Sequence, residues 1–429
     1  MRIVYSLLLY ALAPLVLLRL LWKSRQLPAY RQRLGERFGF VPAPGHGVAV
    51  WLHAVSVGES LAAQPLIDAL LRQHGDGRVW VTTTTPTGSA RIVAAFGNRV
   101  QHSYAPYDLP GAVARFLGRV QPKQVVIMET ELWPNLFQAC ARRSLKLTIA
   151  NARLSPRSFA GYGRVRGFVG RTLACCSAIA AQSEDDASRF RALGAPPDRV
   201  HAVGNLKFEV AVPDAQCQQG RALRARFGAG RPVWIAASTH EGEEDAALAA
   251  HAAIRVLLPN ALLVLVPRHP QRFDAVWRAI TEGGYSAERR SRLNALDTAG
   301  MPQVLGGISV FLGDSMGEMF LYLAMADIAF VGGSFAAVGG HNILEPAALG
   351  LPVLFGPVMH NFAAARSLLL ECSAALEVAD TPALAAEVGV LLSDATKRAA
   401  MGAAGIAAVT GNRGALQRLL TLLDSPLTD

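Results

Sequence analysis

Two series of short, Val/Ile/Ala-rich runs, separated by Ala/Leu/Arg-rich helical stretches, constrain the fold of this chain more than any other feature. The first series is VAVWLHA (48–54), RVWVTTT (78–84), KQVVIME (123–129), KLTIAN (146–151), SAIAAQS (177–183) and RVHAVG (199–204). The second is PVWIAAS (232–238), ALLVLVP (261–267), ISVFLGD (308–314), DIAFVGG (327–333) and PVLFGP (352–357). A strand apolar along its whole length needs cover on both faces, and parallel sheets flanked by helices supply it. The alternation predicts an α/β chain of two facing, Rossmann-like halves, with ligands expected at the C-terminal strand ends and in an interdomain cleft. Between the two series, AVPDAQCQQG (211–220) turns polar around Pro213 and reads as a linker. The expected division is a membrane anchor at 1–22, an N-terminal domain at 23–210, a linker at 211–230 and a C-terminal domain at 231–429. The tail from Leu376 onward reads as helical.

The run IVYSLLLYALAPLVLLRLLW, from Ile3 to Trp22, is long enough to cross ~30 Å of hydrocarbon as a helix. Lys23, Arg25, Arg31, Arg33 and Arg37 follow it, with no small-residue cleavage site between. A single retained N-terminal anchor with the body on the cytoplasmic side is expected; a spanning helix and one lying in the interface both fit. The formal charge of +10 favours anionic partners: nucleic acid, acidic phospholipid or a phosphorylated substrate. Five cysteines, odd in number and without a C-x-x-C pair, disfavour a disulfide framework and a zinc site. With no D-x-D pair and no His cluster at metal spacing, no metal or other cofactor is expected, ETE at 129–131 being the nearest imitation.

Several motifs stand at predicted strand ends. HAVSVGES (53–60) aims Glu59 outward from the first apolar run, where a carboxylate serves as a proton acceptor or as a helix N-terminal acid. In GGSFAAVGGHNILEPAALGLPVLFGP (332–357), Gly332, Gly333, Gly339 and Gly340 permit close backbone approach to a ligand. A helix beginning near Asn342 would turn its free N–H groups toward an anion, with Glu345 one turn on to meet ribose hydroxyls. VPRHP (266–270), GDSMGEM (313–319) and AASTHEGEE (236–244) lie on the same predicted edge, where Arg268 can pair with phosphate. In the first half, ETELWPN (129–135) carries Glu129, Glu131 and Asn135. NARLSPRSFAGYGRVRGFVGR (151–171) carries Arg153, Arg157 and Arg164 among aromatics, a cluster suited to a bisphosphorylated or lipid-headgroup acceptor or to a solvated basic face.

Together HAVSVGE, ETELWPN, NARLS, ASTHEGEE, VPRHP, GDSMGEM and GGHNILEP resemble the 3-deoxy-D-manno-octulosonic acid (Kdo) transferases of lipopolysaccharide and lipid A biosynthesis. The resemblance runs from the anchor to about residue 360 and implies a GT-B fold. It implies a glycosyltransferase that moves Kdo from CMP-Kdo to the tetraacylated lipid A precursor at the cytoplasmic face of the cell inner membrane. Glu59 falls on the family's base position, and one base with direct displacement implies inversion. The CMP contacts fall on Pro267, Arg268 and His269; on Gly313, Asp314, Ser315 and Met316; and on Asn342, Ile343, Leu344 and Glu345. Glu129, Glu131, Asn135, Arg153, Arg157 and Arg164 are the expected acceptor contacts. The expected partners are CMP-Kdo, the lipid A precursor and the membrane, without nucleic acid. Another membrane-associated GT-B transferase, using a UDP-sugar and a lipid-linked acceptor, is the alternative; a two-lobed binding protein and a tethered RNA-binding protein are more distant ones.

Overall fold

In the computed structural model, residues 1–25, 27–293 and 305–425 are described. Two compact units form: Met1–Glu209 with the C-terminal segment from Asn412, and Val210–Gly411. The first holds β1 (Val50–His53), β2 (Val79–Thr83), β3 (Gln101–Tyr104), β4 (Gln124–Met128), β5 (Lys146–Ala152), β6 (Ala178–Ala181) and β7 (Val200–Ala202). They pair in parallel in the order β3-β2-β1-β4-β5-β6-β7, with Val50 beside Gln124 and His53 beside Ile127 at the centre. The strand order reverses between β1 and β4, the point at which open α/β sheets bind ligands.

The second unit repeats the plan with one change. Its strands are β8 (Val233–Thr239), β9 (Leu262–Pro267), β10 (Ala287–Arg289), β11 (Val310–Leu312), β12 (Ile328–Val331), β13 (Val353–Phe355) and β14 (Ala375–Glu377). All are parallel, in the order β10-β11-β9-β8-β12-β13-β14. In both sheets alternate residues feed cores on opposite faces: Trp51 packs with Phe116 and Phe137, while Val50 and Leu52 pack with Leu66 and Ile67. Each such side chain contributes roughly 1.5–3 kcal/mol when fully buried.

Three strands lie outside the expected runs: β3 reads QHSY, β10 AER and β14 ALE. All three are edge strands, exempt from the two-sided cover that makes interior strands apolar. The expected linker is corrected more sharply. Within 211–230 lies a helix, Asp214–Phe227, that buries Cys217, Gly220, Leu223 and Phe227. Gly220 passes so close to the helix Met319–Leu323 that a Cβ there would meet Leu321 O at 2.2 Å. Arg224 binds Asp327 Oδ1 at 2.8 Å, so the polar composition belongs to an amphipathic element of the second unit. The C-terminal domain likewise ends short of 429. The helix Ala415–Asp424 packs Leu419 and Leu423 into the core of the first unit, and Lys146 Nζ donates to Leu422 O at 2.9 Å.

The helix Arg2–Lys23 contains Pro14 and has no buried residue. Its mean hydropathy of 2.1 makes it long and apolar enough to serve as a membrane anchor.

Candidate functional site

In the N-terminal unit, β1 delivers the chain into a turn that opens the helix Val57–Ala62. Ser56 caps that helix by accepting from Glu59 N at 3.2 Å, and Glu59 Oε2 accepts from Val55 N at 2.7 Å. This reciprocal cap fixes the carboxylate at the strand end. Glu59 is buried with few donors, and burial pushes its carboxyl up to about 7. The bonds to Val55 and Ser56 pull the other way, and the charges of Glu129 and Glu131 add to the rise. Two expected acceptor residues are thus gathered around the expected base.

Glu129, just past β4, holds φ at +55°, and its N–H donates to Ala150 O at 2.8 Å. Asn151, on β5, holds φ at +54° where the register with β6 shifts. A left-handed glutamate is costly, and such strain gathers at functional sites. Glu131 accepts from Trp133 Nε1 at 2.9 Å, while burial, with the Glu129 charge, raises its proton affinity. Below this loop His53 is fully buried, kept neutral by a pKa lowered to about 4, with its ring 4.7 Å from that of Trp133. Lys207 is a residue that sequence reasoning passed over. Burial lowers its pKa, and it feels Glu129, Arg153 and Glu59, so a cation joins the carboxylates. Its signal was a lone lysine after the last expected strand of the first series.

The remaining expected acceptor residues divide. Arg153 is exposed beyond β5, its carbonyl bonded by Thr130 Oγ1. Arg157 and Arg164 are exposed, within and just after the helix Pro156–Gly163. Asn135 is 6 % exposed, and its side chain is bonded inside the fold, accepting from Ser6 Oγ and donating to Asp108 O.

In the C-terminal unit, Pro267 ends β9 and Arg268 follows, its N–H donating to Thr239 O at 2.9 Å. Asn342 accepts from Leu344 N at 3.1 Å and donates to Glu345 Oε1 at 3.0 Å. The helix expected from Asn342 begins one residue after Ile343 and runs Leu344–Ala348. Burial raises the Glu345 carboxyl, against the pull of Asn342 and of the nearby Arg268 charge. His269 packs edge-on to His240 at 5.1 Å, and His240 stacks on His341 at 5.0 Å with 2.8 Å between their Nε2 atoms. Burial and the charges of Arg268 and Arg272 hold His240 and His269 below their ordinary pKa, although Glu243 raises His240. His240 in AASTHEGEE and His341 in GGHNILEP carry no local signal as a pair, because strands far apart in sequence bring them together.

Two further expected donor segments have partners within the fold. Asp314 is committed to the fold: its side chain, 1 % exposed, takes Arg289 Nε at 2.7 Å and Ser291 N at 2.7 Å. Ser315 Oγ bonds Glu318 and Tyr322, Gly313 packs against Val266 and Tyr322, and Met316 is exposed. The glycine-rich loop after β12 is also occupied from within. Glu243 accepts from Gly333 N at 2.7 Å, Ser334 N at 3.0 Å, Phe335 N at 2.9 Å and Ala336 N at 3.3 Å, besides His240 N at 2.9 Å. Gly332 serves close packing, since a Cβ there would meet Ser238 O at 2.8 Å. Among the described residues no group of three or more His, Cys, Asp or Glu is placed to hold a metal ion.

The chain is 42% identical over 428 residues to the 3-deoxy-D-manno-octulosonic acid transferase of Haemophilus influenzae, covering 98% of each. It is 38% identical over 439 residues to the enzyme of that name from Bordetella pertussis, covering 99% of each. A glycosyltransferase from Rickettsia africae has the same fold at 12% identity, with a TM-score of 0.52 over 89% of this chain and 100% of that one. Two parallel-sheet domains of the GT-B kind are therefore present. Residues 32–210 match the family described as 3-deoxy-D-manno-octulosonic-acid transferase (kdotransferase), and the chain belongs to that family of glycosyltransferases.

Proposed function

We propose that this Kdo transferase moves the sugar from CMP-Kdo to the tetraacylated lipid A precursor, with inversion and with Glu59 as general base. The observation that carries the reading is the Glu59 carboxyl: buried, fixed at a strand end, and raised to about 7. A base of that strength accepts a proton near neutral pH and is half ionised there. In the reaction an acceptor hydroxyl oxygen attacks the anomeric carbon of Kdo and gives its proton to Glu59. The bond from that carbon to the CMP phosphate breaks, and CMP departs with the electron pair as a phosphate monoester.

The departing charge needs donors. Arg268 and His269, with the backbone of Gly313 to Met316 and of Asn342 to Leu344, are the proposed CMP contacts, and Glu345 is the proposed acceptor for ribose hydroxyls. Arg153, Arg157, Arg164 and Lys207 are the proposed cations for the acceptor phosphates. No step uses a metal or other cofactor. The apolar helix and its basic flank are proposed to hold the enzyme at the cytoplasmic face of the inner membrane.

Mass analysis of lipid A precursor incubated with the protein and CMP-Kdo, with and without EDTA, tests the reading. Addition of the mass of Kdo in both reactions is the expected result. Transfer from UDP-sugars instead, or transfer abolished by EDTA and restored by magnesium, would overturn the donor or the metal-free part respectively.

A further inference from the structure

The apolar helix Arg2–Lys23 is bonded to the N-terminal unit near its start, where a simple tether would be free. Tyr5 Oη donates to Asp108 Oδ2 at 3.0 Å, Ser6 Oγ donates to Asn135 Oδ1 at 3.0 Å, and the Tyr5 ring lies 5.9 Å from that of Phe168. Beyond its other end the chain returns to the same unit: Arg33 donates to His102 O at 3.2 Å and Arg37 to Thr84 O at 2.9 Å. The better-shielded positions Tyr5, Leu9, Ala13, Leu17 and Leu20 recur every three or four residues, with Ser6 beside Tyr5, so they share one face. Ile3, Leu7, Leu8, Leu15, Leu18 and Trp22 are exposed. One face is thus turned to the body and the other left apolar and open, as an interfacial helix requires.

Asp108 is the joint beneath the docked end. It is 8 % exposed, and besides Tyr5 it accepts from Asn135 N at 3.0 Å and from Leu136 N at 2.7 Å. Its own carbonyl accepts from Asn135 Nδ2 at 2.7 Å. Asn135 and Leu136 open the helix Pro134–Ala141 directly after Glu131 and Trp133. A single buried carboxylate therefore ties the apolar helix to the loop that holds Glu131 near Glu59.

We propose that the helix Arg2–Lys23 is a docked part of the N-terminal unit whose Tyr5 and Ser6 contacts, relayed by Asp108 and Asn135, position the Glu131–Asn135 segment for the lipid acceptor. This rests on the acceptor reading of that segment. Tyr5 and Ser6 are positioning residues, since neither stands among the proposed substrate contacts.

The test uses the full chain in detergent micelles with dispersed lipid A precursor, where tethering to a bilayer plays no part. Tyr5→Phe combined with Ser6→Ala should raise the acceptor KM about five-fold, leave kcat and the CMP-Kdo KM within about two-fold, and speed amide exchange at Asn135 and Leu136. Ser6→Thr, which keeps a hydroxyl, should restore part of the loss. Unchanged exchange, an unchanged acceptor KM, or an equal rise in both KM values would overturn the proposal. If the wild type moves no Kdo to this acceptor, the proposed function fails first. Exchange then decides the docking alone: faster exchange in the variant supports it and unchanged exchange overturns it.

Discussion

Glu59 and Glu243 occupy corresponding places in the two units. Each sits in the first turn of a helix that follows the first strand of its sheet, β1 or β8, and each is buried, at 7 % and 2 % exposure. Their surroundings differ in kind. Glu243 accepts from five backbone N–H groups, four of them from the loop after β12. Glu59 has one backbone donor, Val55, and two carboxylates nearby. The comparison teaches that burial alone does not set a carboxylate's proton affinity. A buried carboxylate met by many backbone donors ties the fold together, and one left short of donors gains proton affinity.

The most severe test of this contrast is Glu59→Gln, which should lower kcat by ~10²–10⁴ while the fold and CMP-Kdo binding are kept. Near-wild-type turnover would remove Glu59 from the chemistry. The mirror experiment, Glu243→Gln, should behave oppositely. It sets an NH2 among backbone donors, so equilibrium denaturation should show a loss of about 3 kcal/mol or more. A stable but inactive Glu243→Gln would mean that the loop after β12 is catalytic scaffolding that tolerates losing its anion.

The pH dependence tests Glu59 more finely. Glu59 must be ionised to accept a proton, so kcat/KM should rise with pH and level off above about 7. Stability runs the other way. Because the folded carboxyl holds its proton above the ordinary 4.5, the contribution of Glu59 falls as pH rises from there to about 7. Wild type should therefore lose stability relative to Glu59→Gln across that window, and parallel melting curves would show that Glu59 is ordinarily solvated. The smallest effect concerns the basic helix of the N-terminal unit. Neutralising Arg157 and Arg164 to Gln should raise the acceptor KM several-fold more than that of CMP-Kdo, with 0.5 M salt imitating part of the change. Equal rises would move these exposed arginines away from the acceptor.

Interior strands were legible because burial on both faces writes itself as unbroken Val, Ile, Leu and Ala. Of the fourteen strands among the described residues, the edge strands β3, β10 and β14 are not legible, since QHSY, AER and ALE carry no such run. The segment 211–230 was misread for the converse reason. A surface helix such as Asp214–Phe227 buries one narrow stripe, and its many Gln and Arg residues resemble a linker when read as composition. The helix Ala415–Asp424 was recognised as helical but assigned to the wrong unit, since apolar periodicity says which face is buried and not what covers it.

The candidate site shows the same division. Strand-end motifs, the capped Glu59, the Arg268–His269 pair and the Asn342–Glu345 turn are local, and local pattern was enough to find them. What the motifs' polar residues bind was decided by tertiary structure. Asp314 turned inward to Arg289 and Ser291, Asn135 to Ser6 and Asp108, and the Gly333–Ala336 amides to Glu243. Each of these partners lies more than twenty residues away in sequence, so no spacing rule could have named it. By itself the sequence determined two parallel sheets, an apolar N-terminal helix and the residue types at the strand ends, because each follows from burial and backbone geometry over a few residues. Only the tertiary structure decided which of those polar groups are already satisfied and which remain short of partners, because a buried group's hydrogen bonds and proton affinity depend on whatever the fold brings beside it.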